Sequence, residues 1–214
     1  MGKLSFSKKK IFLVILIFLA LIIVIVLAVV YLFAKNPAKY YTLKSQVFPP
    51  QDEIPEDVEP VSQDFGLVVP KLGINVPVIA DVNGLNPNEF LWKVTEGVAH
   101  FKHVEAYDVI VDGAFPGQIG NIFLFGHSQI PGGDTSKYQA VFNESPALNY
   151  GDKIIVFYNG EKYEYHVVEG KIIGKTDVYY LEKTPEETLH LMTCWPLGFN
   201  NERYLITALR TISN

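Results

Sequence analysis

The chain has 214 residues, 49% of them hydrophobic and 19% charged, with one cysteine and a formal net charge of −5. That is enough apolar sequence for a folded core and too little cysteine for an internal disulfide, which excludes a disordered chain, a collagen-like repeat and a disulfide scaffold. The charge is unevenly placed: residues 1–44 hold seven lysines and no acid, whereas 45–214 hold 11 basic and 23 acidic side chains, a net of −12. Phosphate binding needs a cationic surface, so this balance argues against nucleic acid as a partner and leaves peptides open.

Residues 11–33 form an uncharged run of 23. As a helix rising 1.5 Å per residue it would be roughly 35 Å long, enough to cross a hydrocarbon core of about 30 Å. Lys3, Lys8, Lys9 and Lys10 precede it and no acid occurs before Asp52. The positive-inside rule then makes 1–10 a cytoplasmic tail and 11–33 a single-pass transmembrane signal anchor, with the remainder outside the cell membrane; Lys35 and Lys39 weaken the bias. A cleaved secretory signal is the competing reading, but its apolar region is about 7 to 15 residues and ends at a small-residue cleavage site.

Residues 34–64 read as an extracytoplasmic linker. Within it FPPQDEIPEDVEPVSQD, 48–64, is rich in proline and acid, the composition of an extended, self-repelling spacer. A domain then occupies 65–214, where short apolar or alternating runs bounded by Gly, Pro, Asn and Asp fall at 66–69, 76–79, 109–111, 121–125, 153–158, 161–174, 188–194 and 203–211. This spacing predicts an all-β fold, a single barrel or sandwich, with one or two short helices at best; 135–142 and 185–188 are the candidates. Tyr158-Asn159-Gly160-Glu161 carries the Asn-Gly signal of a two-residue hairpin turn.

Outside the cytoplasm a lone thiol is exposed to oxidation, so Cys194 needs a reason; a buried, inert cysteine is the bland one. It ends the run T-L-H-L-M-T-C, which Trp195-Pro196-Leu197-Gly198 terminates, and a new run opens at Arg203. If the two runs pair as an antiparallel hairpin across 195–202, Cys194 and Arg203 stand opposite, with Cβ atoms about 4.5 to 5.5 Å apart. A guanidinium there favours the nucleophilic thiolate and supplies donors for an oxyanion. The alternative for Arg203 is a plain surface ion pair, although the chain has only two arginines against sixteen lysines.

A thiol nucleophile usually needs a base or imidazolium partner, here among His100, His103, His127, His166 and His190. His190 shares the Cys194 face, but four residues at about 3.4 Å each put it roughly 14 Å away, so it reads as a packing or surface residue. His166 lies mid-run and reads as structural. His127 follows G-N-I-F-L-F-G, an apolar strand opening through glycine into a polar loop, and could project from a strand end as Cys194 does; a structural histidine is the competing reading. His100 and His103 form an H-x-x-H pair without the further spaced ligands of a metal site.

Taken together these residues resemble the sortase family, the membrane-anchored cysteine transpeptidases of the bacterial envelope. T-L-H-L-M-T-C is similar to the family's T-L-x-T-C strand, Arg203 lies nine residues beyond the cysteine as the family's arginine does, Gly120-Asn121 to Gly126-His127 resembles its G-N-x-x-x-x-G-H segment, and V-P-K-L-G-I-N-V-P-V, 69–78, resembles its opening strand pair. The resemblance covers about 65–214. It implies a closed eight-stranded β-barrel in which Cys194 is the nucleophile, His127 the general acid and base, and Arg203 the residue that holds the substrate carbonyl and oxyanion. The implied substrates are exported proteins with an LPxTG-like C-terminal sorting signal, and the implied acceptor is an amine of a peptidoglycan precursor or a pilin. The W-P-L-G loop does not fit the housekeeping or pilus-building subclasses, so no subclass is assigned. Some relatives bind calcium through loop carboxylates; Glu105, Asp108 and Asp112 are clustered here but read as a solvated acidic turn, and no metal or cofactor is expected. Two alternatives stay open: a thiol peptidase that hydrolyses the same acyl enzyme, and a non-catalytic membrane-tethered β-domain that binds a partner. No C-x-x-C, Ser-x-Gly-Cys or Gly-Lys-Ser/Thr signature points to other chemistry.

Overall fold

The computed structural model describes residues 8–35, 54–128, 138–196 and 198–211. Helix α1, Lys8–Lys35, carries one stretch, Val14–Tyr31, long and apolar enough to cross a membrane, and the side chains of that stretch are exposed.

The other elements build one sheet. In chain order they are β1 (Phe65–Val69), β2 (Ile74–Asn83), α2 (Pro87–Lys93), β3 (Val98–Ala106), β4 (Val109–Asp112), β5 (Gly120–Phe125), β6 (Lys153–Tyr158), β7 (Glu161–Gly174), β8 (Glu187–Trp195) and β9 (Glu202–Arg210). The strands follow the order β2-β1-β6-β7-β9-β8-β5-β3, and β3 returns to pair with β2 in parallel, so eight strands close into a barrel; β4 hangs on β3 as a hairpin. Closure removes the open edges that a sheet of this size would otherwise expose.

Local chemistry explains much of this path. Asn159 and Gly160 take φ of 51° and 82°, the left-handed pair of a type I′ turn, and register Tyr158 opposite Glu161. All six residues of β5 are buried, as befits a strand parallel to β8 and covered on both faces. Residues 138–142 form turns and 185–186 a bend before β8 starts at Glu187, so the helix expected at 185–188 is a strand entry; 135–137 lie outside the described residues. Among the described residues of the domain the α-helix is α2, which opens on Pro87 at its first turn and docks Phe90 against Phe101 and Phe125 at ring distances of 5.6 and 6.0 Å.

The barrel interior is apolar, with Leu67, Ile122, Leu124, Ile154, Tyr165, Leu189, Leu191, Tyr204 and Ile206 all buried. A second apolar layer lies on the outer face beneath α2 and the 3-10 turn Val178–Leu181; it includes Phe101, Phe123, Phe125, Ile173 and Leu205, with Met192 and Cys194 packed against it. A third, small cluster seats Ile54 and Val58 on Val68, Ile155 and Phe157. The end of the acidic linker therefore lies along the barrel instead of standing clear of it. Asn75 ties it by accepting from Val61 N–H at 2.8 Å and donating to the Glu59 carbonyl at 2.9 Å, and Ile54 N–H donates to the Pro70 carbonyl at 3.0 Å. Two apolar side chains among the acids are enough to dock the segment once a strand pair offers them a surface.

Candidate active site

Cys194 is the penultimate residue of β8, and the antiparallel register with β9 sets it directly opposite Arg203. It alternates with the inward Leu191 and Trp195 and so leaves the barrel on the outer side, half-buried against the aromatic layer. The guanidinium donates through Nη1 to the Glu202 carbonyl at 2.9 Å, which holds it at the head of β9.

His127 comes to the same place by a different route. β5 and β8 are parallel, with Phe125 level with Met192. Past the ladder, Gly126 N–H donates to the Met192 carbonyl at 3.1 Å and the Thr193 hydroxyl donates to the Gly126 carbonyl at 2.8 Å, so the two chains stay together for another step. His127 comes two residues after Phe125, and Cys194 two residues after its partner Met192, so the chain that carries the histidine leaves the ladder beside the end of β8 that carries the cysteine. Its own carbonyl accepts from Phe142 N–H at 3.0 Å. Position 126 has to be glycine, because a Cβ there would lie 2.8 Å from Phe142 and Val141.

Burial governs the charges. It raises the Cys194 thiol above its ordinary value, and the opposing pull of Arg203 is the smaller effect. Arg203 pulls toward thiolate, as the facing strand ends predict, but burial outweighs it. His127 is buried and its pKa is lowered for the same reason. Taken separately, the two shifts each favour the uncharged form, thiol for Cys194 and neutral imidazole for His127. Asn200, a residue the sequence reading passed over, faces the sulfur: the thiol donates to its Oδ1 at 3.7 Å, a contact that favours the neutral form. The signal for it was the length of the loop, which must fold back over the cysteine to reach Arg203.

Beside Arg203 a cleft of about 120 Å³ runs along the outer face, lined by Phe123, Ile173, Tyr180, Leu181 and Met192. The other histidines stand elsewhere. His100 is fully buried with Nε2 on the Ala114 carbonyl at 2.9 Å, His103 pairs with Asp112 at 2.7 Å, and His166 contacts Thr211. His190 is buried with Nδ1 at 2.8 Å from Asn121 Oδ1. Among the described residues no group of three or more His, Cys, Asp or Glu side chains is placed to hold a metal ion.

The family model for the sortase domain matches residues 67–211, from β1 through β9. The chain belongs to the sortase family. Members of the family are cysteine transpeptidases. Solved sortases share the barrel: sortase C-1 of Actinomyces oris is 22% identical over 81% of this chain and 84% of its own, with a TM-score of 0.53. A sortase D5 transpeptidase of Clostridium perfringens is 16% identical over 84% of this chain and 99% of its own, at 0.54. Sortase A of Corynebacterium diphtheriae is 21% identical over 84% and 72%, at 0.53. A comparison with curated protein sequences gives no match. Identities this low speak for the sortase fold, and the helix before the barrel fits a membrane sortase.

Proposed function

We propose that this sortase cleaves an LPxTG-like sorting signal of exported proteins and passes the acyl group, through a thioester on Cys194, to an amine of a peptidoglycan precursor or a pilin. The observation that supports the reading is the register around one strand end: Cys194 stands opposite Arg203, and the chain leading to His127 runs beside the strand that carries Cys194, with Phe125 paired to Met192. In the first half, His127 takes the thiol proton as Cys194 Sγ bonds to the scissile carbonyl carbon, and gives it to the departing amine as the C–N bond breaks. In the second half the incoming amine attacks the thioester, loses its proton to His127 and expels the sulfur, which recovers a proton. Arg203 donates to the carbonyl oxygen while it carries negative charge in both tetrahedral species. The apolar cleft beside Arg203 suits the leucine and proline of such a signal. In this reading α1 anchors the enzyme with residues 1–10 in the cytoplasm, 34–64 joins anchor to barrel, and 65–214 works outside.

The test uses the full chain in lipid nanodiscs with LPxTG-like peptides and triglycine as acceptor, followed by mass spectrometry. Triglycine-linked products from the wild type and none from a folded Cys194→Ala variant are expected. Hydrolysis products alone would convert the reading to a thiol peptidase, and unchanged turnover by Cys194→Ala would end it.

A further inference from the structure

The segment 175–186, between β7 and β8, crosses the outer face of the barrel and brings Tyr180 and Leu181 to the cleft beside Arg203. Its backbone bonds are local turns: Asp177 N–H to the Gly174 carbonyl, Val178 N–H to Thr176 and Glu182 N–H to Tyr179. Bonds of this kind shape a loop but do not attach it to the strands beneath.

Attachment comes from the barrel. Asn121, the second residue of β5 and only 3% exposed, turns its side-chain amide outward and donates from Nδ2 to the Tyr180 carbonyl at 2.8 Å and the Glu182 carbonyl at 3.2 Å, on either side of Leu181. Because Nδ2 is committed to two acceptors, Oδ1 is the atom facing His190, and His190 Nδ1 must be the donor of their 2.8 Å bond. His190, 5% exposed, is wedged between Phe123 and Tyr180 at ring distances of 5.9 and 6.5 Å. Lys171 covers the Tyr180 ring with its ammonium 4.7 Å from the centroid. A buried polar pair with its donors and acceptors directed in this way specifies one position for what it holds, since any displacement strands a carbonyl or an amide away from water.

We propose that Asn121 and His190 form a buried clamp that fixes 175–186 as a wall of the peptide cleft beside Arg203, and that both are positioning residues for the sorting signal. The proposal rests on the transpeptidase reading for its kinetic consequence. Neither residue touches the reacting atoms: His190 lies four positions before Cys194, about 14 Å along β8. Loss of the clamp should loosen the wall and weaken peptide capture, leaving the thiol, the imidazole and the guanidinium as they were.

The experiment compares full-length wild type, Asn121→Ala, His190→Leu and His190→Gln in nanodiscs. Gln can still donate to Asn121 Oδ1, whereas Leu fills space without donating. Three readouts are taken: hydrogen exchange of 175–186, KM and kcat for the peptide with triglycine, and the rate of Cys194 alkylation by iodoacetamide. Asn121→Ala and His190→Leu should each speed exchange of the segment and raise KM by roughly tenfold, with kcat and alkylation within about twofold of wild type. His190→Gln should recover most of both effects. If Asn121→Ala does not fold, the two His190 variants decide. Wild-type exchange and KM in a folded Asn121→Ala, equal behaviour of His190→Leu and His190→Gln, or a fall in kcat at constant KM would overturn the clamp. If the wild type turns over no peptide, it is the transpeptidase reading that fails, and the exchange of 175–186 alone decides whether the clamp exists.

Discussion

Leu189, Leu191 and Trp195 leave β8 on one side into a closed apolar core, while His190, Met192 and Cys194 alternate with them and leave on the other, where a polar clamp, an aromatic layer and the nucleophile follow one another along the strand. The inner face has one task, to fill a barrel, and any well-packed apolar residue serves it. The outer face needs particular atoms at particular heights. The contrast teaches where a substitution should be read: inward changes should appear as lost stability with normal turnover per folded molecule, outward changes as altered peptide capture or turnover with little change in melting temperature near neutral pH.

Arg203→Ala gives the sharpest test on the outer side. It should lower kcat/KM by roughly 10²- to 10³-fold with little change in melting temperature. It should also move the alkaline limb of the pH profile upward, because the guanidinium is what pulls the Cys194 thiol down against burial. A downward move would contradict that assignment. On the inner side, Leu191→Ala should cost about 2 to 5 kcal/mol in urea unfolding with kcat per folded molecule unchanged.

Histidine protonation sharpens the comparison further. His100, His127 and His190 all have lowered pKa values, with burial the leading cause, and His190 falls to about 4. Between pH 6.5 and about 4 the unfolded chain therefore binds protons that the folded barrel refuses, so stability is full above 6.5 and declines as the pH drops. His190→Gln should remove a share of order 3 kcal/mol from that decline, measured as a flatter plot of melting temperature against pH. An unchanged slope would mean that His190 is not held neutral by burial. The smallest effect belongs to Thr193, which sits at the end of the inner face but holds the strand that carries His127. Thr193→Val should cost about 1 kcal/mol and lower kcat several-fold, as seen by calorimetry beside steady-state kinetics.

Several parts of this barrel were legible before folding because they are local. The Asn159-Gly160 turn follows from two residues that tolerate positive φ, and the Cys194 to Arg203 pairing follows from two runs joined by one loop. Strand β3 was missed because Val98, Ala99, His100 and Phe101 are all buried, so the alternation that marks a half-exposed strand is absent. Helix α2 was missed because seven residues span less than two turns and Phe90 alone anchors them to the aromatic layer. His190 was read as packing or surface; its partner lies 69 residues earlier in the chain, and no local pattern announces a bond of that range.

By itself the sequence determined an apolar N-terminal helix, a β-rich domain, a thiol and a guanidinium on facing strand ends, and a histidine motif, since each of these depends on composition or on neighbours a few residues away. Only the tertiary structure decided that β5 lies parallel to β8, so that the chain leading to His127 runs beside the strand carrying Cys194, that the sulfur is buried enough for desolvation to outweigh the arginine, and that Asn121 reaches the segment over the cleft. Parallel pairing, burial and long-range hydrogen bonds are set by closure of the whole sheet, where each residue's environment is made by strands far from it in the chain.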